Sequence, residues 1–429
     1  MSKFTFKNLF QSEFIRNSSL LLSGNFAGLL ISFLAYPVLT RIYSDADFGI
    51  LASLLSICGI LTHIGTGHYE EAIVIAEDKK EVVSILGFSF KLLTVFTLVI
   101  LLILFFFRNE VLSLFKWEAL EPFWGYIPAT VFFSGSFYIL NNLAIREKKF
   151  KMITSSYLTQ NLVNTIGKIV MGLLSFTRIG QIFSNLLSYI CGNLPYYSLK
   201  TYFKEVWKGS WAEEKRISLK YKEFPYYSSS RLLMSGISLN LPFLLLLSHF
   251  GDARLGLYSL AFLILYRPIQ LIANSLYSTF FEDSASVARD NKPILPKMKK
   301  YWIALCKYIL PFFVLGAIVA RPAFRIVFGS DWEESGLYFQ YLLPWMFMMM
   351  IVSPVYFIPI ILKRQNKALI IEVLWLIFRL ISLYIGIHLA DFQTGILLFS
   401  ITGFVFSVLL FFWFYSLIKK YEKRLEFTQ

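Results

Sequence analysis

The sequence predicts an all-α polytopic membrane protein, with about twelve transmembrane helices in two parallel-repeat six-helix bundles around a central cavity. Three observations predict it. The 429 residues are 56% hydrophobic and only 16% charged, with mean hydropathy +0.60, whereas soluble domains are about 25% charged. Apolar runs of about 20 residues, the length that crosses a bilayer, recur along the whole chain. One hairpin also occurs twice: Ser23-Gly24 followed by Asp45-Ala46-Asp47-Phe48-Gly49 parallels Ser235-Gly236 followed by Asp252-Ala253-Arg254-Leu255-Gly256.

The runs place spans at 14–40, 47–67, 83–107, 122–143, 153–173, 180–200, 226–249, 257–280, 301–320, 337–362, 368–388 and 395–417. Strand-period alternation is absent, which argues against a β-barrel. With the N-terminus inside, the inner connections hold 28 of the 41 Lys and Arg residues and the outer ones 7. This asymmetry predicts that both termini are cytoplasmic. It also accounts for the net charge of +14 without a nucleic-acid partner.

The predicted organisation is an N-terminal bundle (1–200), a cytoplasmic linker (201–225) and a C-terminal bundle (226–429). Basic turns at Leu143–Phe150 and Ile361–Ala368 follow the fourth and tenth spans, extending the repeat. An even number of spans per unit makes the copies parallel. The linker either lies on the membrane surface, with Trp207 and Trp211 at headgroup level, or is a plain connection. The outer connections are too short for a folded outer domain.

Polar residues inside the spans carry the functional signal, because unsatisfied polar groups in hydrocarbon cost several kcal/mol. In the eighth span Arg267, Gln270, Asn274 and Ser278 share a helical face. Tyr157, Asn161, Asn164 and Lys168 do so in the fifth, Arg231, Ser235 and Ser238 in the seventh, and Ser18, Asn25 and Ser32 in the first. Such stripes either line a cavity or glue helices together. Arg267 and Arg379 are central in their spans and Lys168 lies in the outer part of its own, so these three are expected to line the cavity. Arg231 lies near an end, where snorkelling and cavity lining are both open, whereas Lys91 and Lys307 are expected to snorkel.

Glu372 is the one acid well inside a span, seven residues from Arg379. It offsets that charge or binds a coupling cation, H⁺ or Na⁺. Glu70 and Glu71 read as interfacial charges. Pro242, Pro268, Pro354 and Pro359 interrupt spans as packing bends or bending points. The cysteines (58, 191, 306) and histidines (63, 68, 249, 388) form no metal-binding pattern, and no P-loop is present. No metal and no cofactor is expected. Arg and Lys suit phosphate or carboxylate, while Asn, Gln, Ser and Tyr suit sugar hydroxyls, so the ligand chemistry is an amphiphile with an anionic head.

The segment Pro37-Val38-Leu39-Thr40-Arg41-Ile42-Tyr43-Ser44, then Asp47-Phe48-Gly49 and Tyr69-Glu70-Glu71-Ala72-Ile73, resembles the opening of the polysaccharide-export flippases. These are the O-antigen (Wzx-type) transporters of the multidrug/oligosaccharidyl-lipid/polysaccharide (MOP) superfamily. The resemblance implies a MATE/MOP-like fold around a V-shaped cavity. It implies a polyprenyl-diphosphate-linked oligosaccharide, an O-antigen or capsule repeat unit, flipped from inner to outer leaflet of a bacterial inner membrane. It gives Arg41 and Asp47 a structural role at the outer end of the first hairpin. Expected partners are that lipid-linked sugar, membrane lipids and other polysaccharide-assembly membrane proteins. The substrate-binding candidates are Arg267, Arg379, Lys168, Arg231, Asn274, Asn161, Asn164 and Asn25, with Glu372 as the ion-coupling candidate.

A multidrug exporter of the same superfamily is the first alternative, but the interior charges are mostly basic. A membrane enzyme, such as a polymerase or glycosyltransferase, is the second, and no loop is long enough for its catalytic groups.

Overall fold

The computed structural model describes residues 13–206, 209–222, 229–289, 292–362 and 364–426. Among these the regular structure is helical, without strands. The chain forms two compact units, Met1–Ser248 and His249–Gln429.

The first unit holds α1 (Glu13–Ile42), α2 (Asp45–Thr66), the short α3 (Tyr69–Ile75), α4 (Lys79–Phe115), α5 (Tyr126–Arg146), α6 (Phe150–Leu173) and α7 (Thr177–Asn193). Two surface helices follow, α8 (Lys200–Val206) and α9 (Trp211–Lys220), and then α10 (Ser229–Phe250), within which the unit ends. The second unit holds α11 (Asp252–Arg289), α12 (Leu295–Tyr308), α13 (Leu310–Phe328), α14 (Glu333–Val352), α15 (Ile358–Ile361), α16 (Gln365–His388) and α17 (Phe392–Glu426).

Seven helical stretches among the described residues are long and apolar enough to cross a membrane, and two shorter apolar helices accompany them. This is a multi-pass membrane protein. Only 17% of the most apolar window of α4 and 11% of that of α12–α13 is buried within the chain, against 61% for α2. The exposed side chains of α4 (Val95, Leu98, Leu102, Phe105, Phe106) are apolar. Such a band fits lipid rather than water.

Helix ends follow local chemistry. Ser44 caps α2: its Oγ accepts from the Asp47 N–H at 3.3 Å, and Asp47 Oδ2 accepts from the Ser44 N–H at 3.2 Å. Asp78 Oδ1 caps α4 by accepting the Glu81 N–H at 2.8 Å. The ninth expected span is broken, with α12 ending at Tyr308 and α13 starting at Leu310 beside Pro311, which has no N–H to continue the ladder. The tenth is broken as its prolines predict. Helix α14 ends at Val352, a 3₁₀ turn spans Ser353–Val355, and α15 resumes beyond Tyr356. Helices α10 and α11 instead run through Pro242 and Pro268.

Small residues let helices approach closely. In the first unit a Cβ on Gly172 would lie 2.2 Å from Ile42, and one on Gly28 would lie 2.8 Å from Asn161. In the second, a Cβ on Gly386 would lie 2.3 Å from the Gly395 backbone, and one on Gly403 2.6 Å from Trp345.

The segment after the sixth span is not a plain connection. Helix α9 buries Glu214, Ile217 and Ser218 against the first unit, and Glu214 accepts from Lys91 Nζ at 2.7 and 2.9 Å. Trp211 stacks on Phe88 at 6.0 Å. Lys220 reaches Glu81 at 2.6 Å and Glu77 at 2.9 Å, and Tyr221 donates to Glu81 at 2.7 Å. The hydrogen-bonded carboxylates of Glu81 and Glu77 hold the Lys220 ammonium above its usual range. Lys91, expected to snorkel, is therefore the partner of a buried acid. Trp207 lies outside the described residues.

Candidate functional site

In the second unit Arg379 of α16 is 3% exposed. Its guanidinium carbon lies 4.2 Å from the Trp375 ring centroid, 4.4 Å from Trp345 and 5.0 Å from Phe399. Three helices, α14, α16 and α17, thus supply an aromatic box, and Trp345 and Phe399 meet edge to face at 5.4 Å. Guanidinium is weakly hydrated and flat, which suits it to such a box. About two turns earlier on α16, Glu372 Oε1 accepts from the Tyr356 phenol at 2.6 Å, while its buried Oε2 has no hydrogen-bond partner. Arg267 and Asn274 are both exposed on one face of α11.

In the first unit the α6 stripe meets α1. Ser32 Oγ donates to Asn161 Oδ1 at 3.2 Å and lies 3.3 Å from Thr165 Oγ1, while Asn161 Nδ2 donates to the Tyr157 carbonyl at 2.8 Å. The Lys168 carbonyl accepts from Tyr43 Oη at 2.6 Å, and the buried Asn164 Oδ1 has no hydrogen-bond partner. Ser32 and Asn161 thus join two helices of one unit. The side chains of Asn25 on α1 and Arg231 on α10 lie outside the described residues.

A sequence model described as polysaccharide biosynthesis protein matches residues 38–336. The chain belongs to this polysaccharide biosynthesis protein family. A comparison with curated proteins returns no match. Among solved structures, lipid II flippase MurJ in an inward closed conformation is similar with a TM-score of 0.72 at 14% identity, covering 96% of this chain and 91% of that one. An inward-facing multidrug resistance MATE family transporter of the MOP superfamily gives 0.64 at 13% identity, covering 92% and 96%. A MOP superfamily transporter from Pyrococcus furiosus, described as having a binding pocket of reverse polarity, gives 0.55 at 14% identity, covering 95% and 96%. The fold of this family member is the MOP fold.

Within the matched region, Asp47 is buried and its Oδ1 accepts from Arg178 Nε of α7 at 3.0 Å, so it joins two hairpins as well as capping α2. The Tyr69–Ile73 stretch forms α3, entered through two consecutive left-handed residues, Gly67 and His68, both at φ 55°. For His68 this region is sterically costly, by about 1–2 kcal/mol. The turn buries His68 and Glu70. His68 Nδ1 lies 3.6 Å from Glu70 Oε1 and 3.7 Å from Glu71 Oε1. Thr66 Oγ1 donates to Glu70 Oε1 at 3.2 Å. The His63 ring stacks on His68 at 5.2 Å and on Tyr138 at 5.9 Å. Burial pushes the Glu70 carboxyl up, with His68 opposing. His68 Nε2 and Glu70 Oε2 are buried without hydrogen-bond partners.

Sequence reasoning reads Glu70 as interfacial and misses this cluster. Its only sequence signal is the Gly67-His68 pair ahead of two acids. Among the described residues, no group of three or more His, Cys, Asp or Glu side chains is placed to hold a metal ion.

Proposed function

We propose that this chain is a flippase that moves a polyprenyl-diphosphate-linked oligosaccharide from the inner to the outer leaflet of a bacterial cytoplasmic membrane. The observation that carries this reading is a polysaccharide biosynthesis family match across residues 38–336 on a chain with a transporter fold. The predominance of basic residues inside its spans supports it further. An anionic diphosphate needs cations on its route, and cationic drugs would need acids there.

In this mechanism the two halves, 1–200 and 226–429, rock by alternating access. With the cavity open inward, Arg267 and Asn274 on the exposed face of α11 meet the diphosphate and sugar hydroxyls while the lipid tail stays in the bilayer. Reversal presents the head outward. Glu372, held by Tyr356, and the His68–Glu70 pair are the candidates for taking a coupling cation during the reset. Arg379, enclosed by three rings, contributes its charge from behind the surface in this conformation.

Complementation of a strain lacking this protein tests the reading, scoring surface polysaccharide and membrane abundance together. Arg267→Ala at normal abundance loses surface polysaccharide, and Arg267→Lys retains part of it. Full activity in both variants removes Arg267 from the path. Restoration of no polysaccharide by the wild-type chain, at normal abundance, overturns the flippase reading itself.

A further inference from the structure

Helix α9 has two faces. Glu214, Ile217 and Ser218, followed by Tyr221, form the buried one, with the i, i+3, i+4, i+7 spacing of a docked helix. The outward strip at i, i+4, i+8 is Trp211, Lys215 and Leu219. Trp211 is 54% and Leu219 57% exposed, and Arg216 and Lys222 are exposed beside them. Large apolar side chains alternating with cations are the mark of a helix lying in a membrane interface.

The docking brings that strip to the edge of the lipid-facing band, within reach of the interface. On α4 the exposed apolar side chains begin at Val95. Helix α9 packs on the turns just before it, where Trp211 stacks on Phe88 and Lys91 grips Glu214. Lys91 to Val95 is about 6 Å of helix rise. The outward strip therefore sits at the margin of the lipid-facing band rather than in bulk water. The grip is close-fitting, since a Cβ on Gly87 would come within 2.7 Å of Glu214 Oε1. Two of the neighbouring basic residues, Lys91 and Lys220, are committed to carboxylates of the first unit. Lys215 and Lys222, with Arg216 only 3.9 Å from Glu213, leave an outward basic surface beside the apolar anchors.

We propose that the outward face of α9 is a binding surface for anionic phospholipid headgroups. Leu219 and the exposed part of Trp211 enter the interface, and Lys215, Arg216 and Lys222 meet the lipid phosphates. This surface does not depend on the identity of the cargo. A failed flipping assay leaves it standing, and a failed lipid test leaves the flippase reading standing.

The test uses the full chain in nanodiscs of phosphatidylcholine with increasing phosphatidylglycerol. A nitroxide is placed at Leu219→Cys in a Cys306→Ser background, because Cys306 is the exposed native thiol. Collision with oxygen, which prefers lipid, is compared with collision with an aqueous nickel chelate. The expected result is a label that moves from nickel-accessible to oxygen-accessible as phosphatidylglycerol rises. In Lys215→Gln/Arg216→Gln/Lys222→Gln, each lost charge weakens that response about fivefold, from about 1 kcal/mol per basic residue near an anionic surface. All three side chains are exposed, so the fold is not put at risk. A label equally open to nickel at every lipid composition overturns the proposal and leaves the face to a soluble partner. An unchanged response in the triple variant overturns the role of the cations.

Discussion

Replacing Arg379 separates its charge from its stacking, because the structure predicts that two substitutions differ in their effect on stability. The guanidinium is 3% exposed and touches three rings at 4.2–5.0 Å. Desolvated cation–π contacts are worth up to about 2 kcal/mol for the best placed. Two tryptophans and one phenylalanine, which share a single cation, therefore give roughly 3 kcal/mol. Burial of the charge works against this by several kcal/mol. Arg379→Leu removes both terms and leaves a volume the rings can close on, so its stability should lie within about 1 kcal/mol of wild type. Arg379→Lys keeps the burial cost but replaces a flat, weakly hydrated group with a strongly hydrated point charge. It should be less stable than wild type by about 2 kcal/mol. Thermal unfolding of the purified full chain, read alongside surface polysaccharide in complemented cells, checks the order. Loss of polysaccharide in a stable Arg379→Leu protein assigns the charge to transport. A Lys variant as stable as wild type, or a Leu variant less stable than the Lys variant, refutes the reasoning from the box.

Two further outcomes follow from ion pairs in the first unit. Lys91→Met leaves the buried Glu214 carboxylate without its cation. Because Lys91 is half-exposed, the cost falls to about 1–2 kcal/mol rather than the larger figure for a fully buried pair. Limited proteolysis should then cut the 201–225 segment faster, and unchanged cutting would mean that α9 is held by its apolar contacts alone. The second concerns Glu70, whose carboxyl burial holds above its usual range in the folded chain. The fold therefore favours the protonated form. The contribution is most favourable at low pH and is lost as pH rises from the unfolded towards the folded value. Thermal stability of wild type minus Glu70→Gln should fall as pH rises through this window, and a flat difference would show that His68 cancels the effect of burial.

The order of the apolar helices was legible because hydropathy reports directly on what lipid demands, although of the twelve expected spans only seven stretches among the described residues, with two shorter helices, carry that signal in full. The expected run at 83–107 is the apolar centre of α4; it closes where the backbone leaves helical geometry at Phe107, and helical turns continue on either side to Lys79 and Phe115. Breaks at Pro354 and Pro359 were legible for the same local reason. The interruption at Ile309 was not, because Pro311 sits inside an unbroken apolar run. Partners distant in sequence were the least legible. Lys91 and Glu214 are 123 residues apart, and Asp47 and Arg178 are 131. No local pattern marks either pair. Arg379 was visible as a charge in a span, but the rings around it come from three helices and only Trp375 lies on its own.

The structure also divides the polar stripes that sequence periodicity treats alike. Ser32, Asn161 and Thr165 satisfy one another where α1 and α6 meet, and Gly28 makes room for Asn161. A side chain so engaged must break hydrogen bonds before it can hold a sugar, which costs it about 1 kcal/mol per bond. Arg267 belongs to a stripe of the same periodicity, yet it remains exposed on α11. Periodicity identifies a face that avoids lipid, but it does not say whether another helix or a ligand covers it. The face of α11 is therefore where substitution should change transport before it changes folding, and the α1–α6 seam is where the order should reverse.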